Sequence, residues 1–252
     1  MSNTYFDGQG ALYIAPLGAD GLPGGLEWVG DCEQFELDLT QKFDDIYESY
    51  TGKRSKAAHI LTQSDAKIMI KMLNYSVENL ARATQGSHSG AVSAGTVTDA
   101  AYRGFAGKSM ALAHPNVSSV VITKGVTPLV LGTDYTLDAA KGLVTFLSAS
   151  AVVTGSSAND LTVDYAFAAN SGTVQGMTAG PRGYQLVFMG LNIADPSQGQ
   201  VRVVVHKAIL DLPKNLAWID SKHASLDCSG EMLIDPTQPD GASQFFTVTM
   251  QN

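Results

Sequence analysis

Phe35, Leu37 and Leu39 alternate strictly with Glu36, Asp38 and Thr40. That period of two commits the segment to a half-buried strand, because successive side chains on a strand point to opposite faces. The outward positions are acidic. The run reads DCEQFELDLTQKFDDIYESY over 31–50 and is followed at once by Lys53, Arg54 and Lys56. An acidic strand block next to a basic block suits a chain that docks head-to-tail on copies of itself. Heterologous contacts of that kind close into rings or run on as fibres or tubes.

The same alternation recurs along the chain. GALYIAP (10–16) and LEWVG (26–30) read as short strands separated by a Gly/Pro turn. Residues 41–57 lose the period and predict a long loop or an extended hairpin tip. Alternation returns in AHILTQSDAKIMIKML, with Ile60, Ile68, Ile70 and Met72 among its apolar positions. Ser76 is placed to cap a helix over 77–85, with Gly86 as its stop. Residues 86–104 are rich in Gly, Ser, Ala and Thr and aperiodic, which predicts a linker. Beyond it, Asp134–Leu137 and Leu143–Leu147 flank the hairpin turn DAAKG, and Leu161, Val163, Tyr165 and Phe167 again alternate. After a Gly-rich joint at 170–183, strands are expected at 184–194, 200–210 and 245–250, with a turn ADPSQG between the first two and a strand pair over 223–235. The expected architecture is mainly β: a sandwich or barrel core from 1–104 and 169–252, one short helix, and a small inserted β domain at 105–168.

The residues that carry chemistry are sparse. The net charge of −8 argues against a sequence-independent DNA binder, which needs cations to displace counterions from phosphate. Two cysteines, Cys32 and Cys228, exclude a disulfide framework and a four-cysteine zinc site, and read as two reduced thiols, with a single bridge as the lesser alternative. His59, His88, His114, His206 and His223 show no zincin spacing. GSHSG at 86–90 carries His88 where a nucleophile elbow needs serine. TGKRS at 51–55 lacks the upstream glycine of a phosphate loop. No catalytic, metal or cofactor residue is nominated. The opening residues have no basic n-region or apolar h-region, so the expectation is a protein made in the cytoplasm, with no membrane partner.

Four stretches taken in order resemble the major tail tube protein of long-tailed bacteriophages: GQGALYIAPLG, FELDLTQKFDDIYESYTGKRSKAAH, GTDYTLDAAKGLVTFLSAS with LTVDYAFAA, and VRVVVHKAILDLPKNLAWI with LDCSGEMLID. Together they cover most of the chain, and none is a catalytic signature. The resemblance implies a tail-tube-like β core whose copies form hexameric rings, joined edge to edge through their inner sheets and stacked into a hollow tube. It implies a virion location and, as partners, the chain itself and the tape measure, tail terminator and baseplate proteins. Double-stranded DNA passes through without specific binding. An acidic lumen suits that passage, since DNA carries about one charge per 1.7 Å of axis. Lumen positions are expected among Glu33, Glu36 and Asp38, or among the acidic C-terminal strands. For ring stacking the expectation is the 41–57 segment, with Asp44, Asp45 and Glu48 meeting Lys53, Arg54 and Lys56 of a neighbouring ring. The inserted domain is expected on the outer surface. The competing readings are another tail ring subunit, a terminator or baseplate component, and a glycan-binding surface module. Trp28 and Trp218 do not supply the latter with an evident aromatic platform.

Overall fold

The period-two patterning becomes antiparallel sheet almost throughout. The computed structural model describes residues 5–194, 199–219 and 223–251. It is mainly β, with a single short helix among the described residues, and it divides into two units. The expected turn at 194–199 falls mostly outside the described residues.

The larger unit runs up to His88 and resumes at Thr173. Its strands are β1 (Gly8–Pro16), β2 (Glu27–Trp28), β3 (Cys32–Tyr47) and β4 (Lys56–Met72), followed by α1 (Val77–Ala83) and β5 (Ser87–His88). The smaller unit holds β6 (Gly95–Gly104), β7 (Ser109–Ala111), β8 (Val117–Lys124), β9 (Thr127–Pro128), β10 (Tyr135–Asp138), β11 (Leu143–Phe146) and β12 (Asn159–Phe167). The chain then returns to the larger unit through β13 (Val174–Gln175), β14 (Gly183–Asn192), β15 (Gln200–Leu210), β16 (Leu226–Met232) and β17 (Phe246–Met250).

One sheet in the order β2-β1-β14-β15-β16-β4-β3 organises the larger unit, and β17 branches from β15. β15 is the fork. One side pairs with β14 along its length. The other side pairs with β17 over Val201–Val205 and with β16 over Ala208–Leu210. His206 sits where the partner changes, its N–H bonded to the Phe245 carbonyl at 3.0 Å and its side chain buried. Inward residues from both arms of the sheet, including Leu12, Ile14, Ile68, Ile70, Leu186 and Leu226, form one core.

Ser76 caps the helix as expected, accepting from the Asn79 N–H. At the other end the residue with positive φ is Gln85 (φ 47) and not Gly86. The Gly86 N–H reaches the Ala81 carbonyl at 2.8 Å and the Gln85 N–H reaches that of Arg82 at 3.2 Å, a Schellman pattern. Gly86 is needed for a different reason: a Cβ there would stand 2.4 Å from the Gln175 carbonyl oxygen. Asn79, 1% exposed, ties the helix to the sheet. Its amide donates to Val29 O at 2.6 Å and Asn74 O at 3.1 Å, and its Oδ1 accepts from Arg82 at 2.9 Å.

The inserted unit spans Ser89–Gly172, wider than the expected 105–168 at both ends. The predicted linker is mostly β6. Its inward positions are Gly95 and Val97, then Ala100, Tyr102 and Gly104. The phase flips at Asp99, where φ is 53 and the ladder to β12 shifts register. A strand whose alternation reverses at a bulge looks aperiodic in sequence. The unit has two sheets, β6-β12-β8-β9 and β10-β11-β7, and its own core around Ile122, Val144, Phe146 and Val163. Over 223–235 the expected strand pair is a single strand, β16.

Because His88 pairs with Val174, the two ends of the larger unit at the insertion are neighbours. Each unit has a separate core, so replacing 89–172 with a short Gly/Ser linker leaves the larger unit with a cooperative melting transition. Asn79→Ala removes the donors for a buried carbonyl. It lowers stability by about 2 kcal/mol, the scale of an unsatisfied buried polar group, measured by urea denaturation.

Candidate assembly interface

Register decides which charges share a face. Across β3, β4 and β16, Gln34 lies opposite Lys71 and Lys71 opposite Asp227; Glu36, Met69 and Ser229 form the next row; Asp38, Lys67 and Glu231 the one after. All of these outward positions are solvent-accessible on the face away from Ile68 and Ile70. The two alternatives left open by the sequence, the acidic β3 positions and the acidic C-terminal strands, therefore lie on one continuous face. Glu33 sits at the bulge between Cys32 and Gln34 and bridges Lys71 at 2.8 Å, which raises the Lys71 pKa. Counting Glu33, this face offers five carboxylates to two ammonium groups.

Distal to that face, β3 and β4 continue as a two-stranded arm. β3 is paired with β4 through Tyr47, and β4 begins at Lys56, so of the two expectations for 41–57 the segment is the extended hairpin tip. The alternation is hidden there by register shifts at Lys42/Phe43 and Ile46/Tyr47. The arm carries uncovered apolar side chains: Leu39, Phe43, Ile46, Tyr47, Ile60 and Leu61 are each between 45% and 58% exposed.

Several of the arm charges expected at a ring contact have partners within the hairpin. Asp45 pairs within its own hairpin, with Lys56 at 2.6 Å and with the His59 ring nitrogen. The Lys56 hydrogen bond, then that of His59, holds the Asp45 carboxyl below its usual range, and Asp45 in turn raises Lys56. His59 also stacks on Phe43 with ring centroids 4.1 Å apart. Glu48 closes the tip, accepting from the Thr51 hydroxyl and from the Thr51 and Ser55 N–H groups, and its pKa is lowered by those bonds. Asp45, Glu48 and Lys56 thus each have a partner within the hairpin. Asp44, Lys53 and Arg54 make no ion pair among the described residues.

In the eight-stranded sheet, three strands have a ladder partner on one side only: β2, the 16-residue β3, and β17. Elsewhere the structure brings little chemistry together. Among the described residues, no group of three or more His, Cys, Asp or Glu side chains could hold a metal ion, and no helix is long and apolar enough to cross a membrane. Both thiols are free; burial pushes Cys32 up to about 11 and Cys228 up to about 12, which keeps them protonated.

The larger unit thus combines open strand edges, a two-stranded arm and an acidic face on one mainly β sheet. The chain belongs to the family described as Protein of unknown function UCP028589, whose model matches residues 5–249. No curated protein matches it.

Because Asp45 is held low by its partners, the arm's pairing is complete at neutral pH and is lost only as the pH falls through that lowered value. Lys56→Ala moves the Asp45 titration back toward the ordinary carboxylate range, as read by NMR of the side-chain carboxyl, while the global melting temperature stays unchanged.

Proposed function

We propose that this chain is a structural virion subunit of the tail-tube kind, a reading that rests in part on its resemblance to that family. Copies close into rings, hexameric as in that family, and the rings stack into a hollow tube through which DNA leaves the particle. The observation that supports this best is the union of open edges and a single acidic face on one sheet. A free edge is a liability for a monomer and a resource for a closed ring, which pairs every edge with the next copy. The face of β3, β4 and β16 has the charge a DNA conduit needs, since repulsion from phosphate prevents sticking. No catalysis and no cofactor enter this reading. The partners are the chain itself and the tape measure, terminator and baseplate proteins of the tail.

Negative-stain electron microscopy of concentrated protein tests it. Hollow tubes with a regular axial repeat are the expected result. Closed rings that never stack would assign a terminator or baseplate ring subunit instead, and particles that stay single would overturn self-assembly.

Reversing the acidic face tests the conduit. The variant Glu36→Lys, Asp38→Lys, Glu231→Lys retains double-stranded DNA in a gel-shift assay where the parent does not. Its log affinity falls against log salt with a slope of about −0.9 for each phosphate neutralised. Equal DNA retention by parent and variant would remove the charge argument.

A further inference from the structure

The core of the larger unit is open at one side and its apolar stripe does not stop at its edge. Between β1 and β3 lies a slot of about 620 Å³, lined by Phe6, Leu12, Phe35, Leu37, Phe188 and Val203 among others. That volume is in the range of roughly 300–1,000 Å³ for clefts that take up a ligand. Phe35 and Leu37 are only half-buried, because no strand pairs with the outer edge of β3 to cover them. The stripe they begin runs outward along the same face of β3 through Leu39, Phe43 and Tyr47, with Gln41 and the paired Asp45 between them, and the register partner Leu61 extends it. One molecule thus has an uncovered apolar slot and an uncovered apolar arm.

We propose that the arm of one copy seats Phe43 and Tyr47 in the β1/β3 slot of the next copy. The proposal rests on the self-assembly reading and names the receptor for the arm. Three observations favour a second copy as the occupant. The projecting side chains are aromatic and aliphatic, matching the aromatic lining of Phe6, Phe35 and Phe188. The arm tip offers Lys53 and Arg54 without ion pairs among the described residues, while Glu33 stands in the lining of the slot. The free edge of β3 can take a further strand by ladder pairing, so an entering arm satisfies backbone groups as well as apolar ones. Slot and arm are different surfaces, so the contact is heterologous and repeats from copy to copy.

The test mixes two variants in a Cys32→Ser background. One carries Tyr47→Cys on the arm and the other Leu37→Cys in the slot lining. Neither can make the arm-to-slot disulfide alone, and the bond requires Cα atoms within about 7 Å. The expected result is a mixed disulfide dimer under mild oxidation, found by mass spectrometry. In parallel, Phe43→Ser with Tyr47→Ser, whose fold is checked by circular dichroism, weakens self-association by at least about tenfold in light scattering, as loss of aromatic anchors does. Multimers that form without the mixed disulfide, and that the double serine variant leaves intact, overturn the slot as receptor and leave self-assembly standing. A mixture with neither multimers nor disulfide overturns both.

Discussion

β15 bears the larger unit. Its one side holds β14 and, through it, β1 and β2; its other side divides between β17 and β16, and β16 carries β4 and β3. The buried residues of the strand, Val201, Val205, Ala208 and Leu210, contribute to the core. The partner of the strand changes at His206, and the slot between β1 and β3 is lined in part by Val203 of the same strand. The histidine at that point keeps a buried Nε2 without a hydrogen-bond partner among the described residues. A position squeezed between two strand ends has few ways to satisfy a side-chain nitrogen, and the cost is of the order of 1–3 kcal/mol.

Where one face of a strand is buried and the other wet, the sequence was readable. Phe35 to Leu39, Ile68 to Met72 and Leu161 to Tyr165 all keep the period of two, and all are strands. Legibility failed where that condition failed. The arm has water on both faces, so its side chains follow no burial rule, and bulges break the count twice. β6 is masked by small residues and by the left-handed Asp99, whose N–H is held by Asp164 Oδ1 at 2.7 Å. Gln85 takes the left-handed helix stop that the neighbouring glycine advertised, with its own side chain fixed to the Leu210 carbonyl at 2.9 Å.

The charged residues show a different limit. Their types were evident but their partners were not, because pairing depends on strand register. Lys56 was expected to meet a neighbouring molecule, and its partner within the chain, Asp45, becomes evident only from the hairpin's register. Glu36 and Glu231 are nearly two hundred positions apart, and only the β3-β4-β16 ladder brings them to one face. A ladder gathers distant carboxylates at little cost while water covers them, since surface charges interact weakly one pair at a time.

The pairing of Gly8 through Pro16 with the segment from Tyr184 to Asn192 also sets a timetable for synthesis. The first strand leaves the ribosome long before its ladder partner exists. At 5–20 residues per second, the wait is roughly 10–35 s. During that time the inserted unit, which has its own core within 89–172, can finish folding. The nascent chain therefore carries one completed module and one half-sheet with exposed apolar edges, and the order in which the molecule matures is set by where the insertion falls.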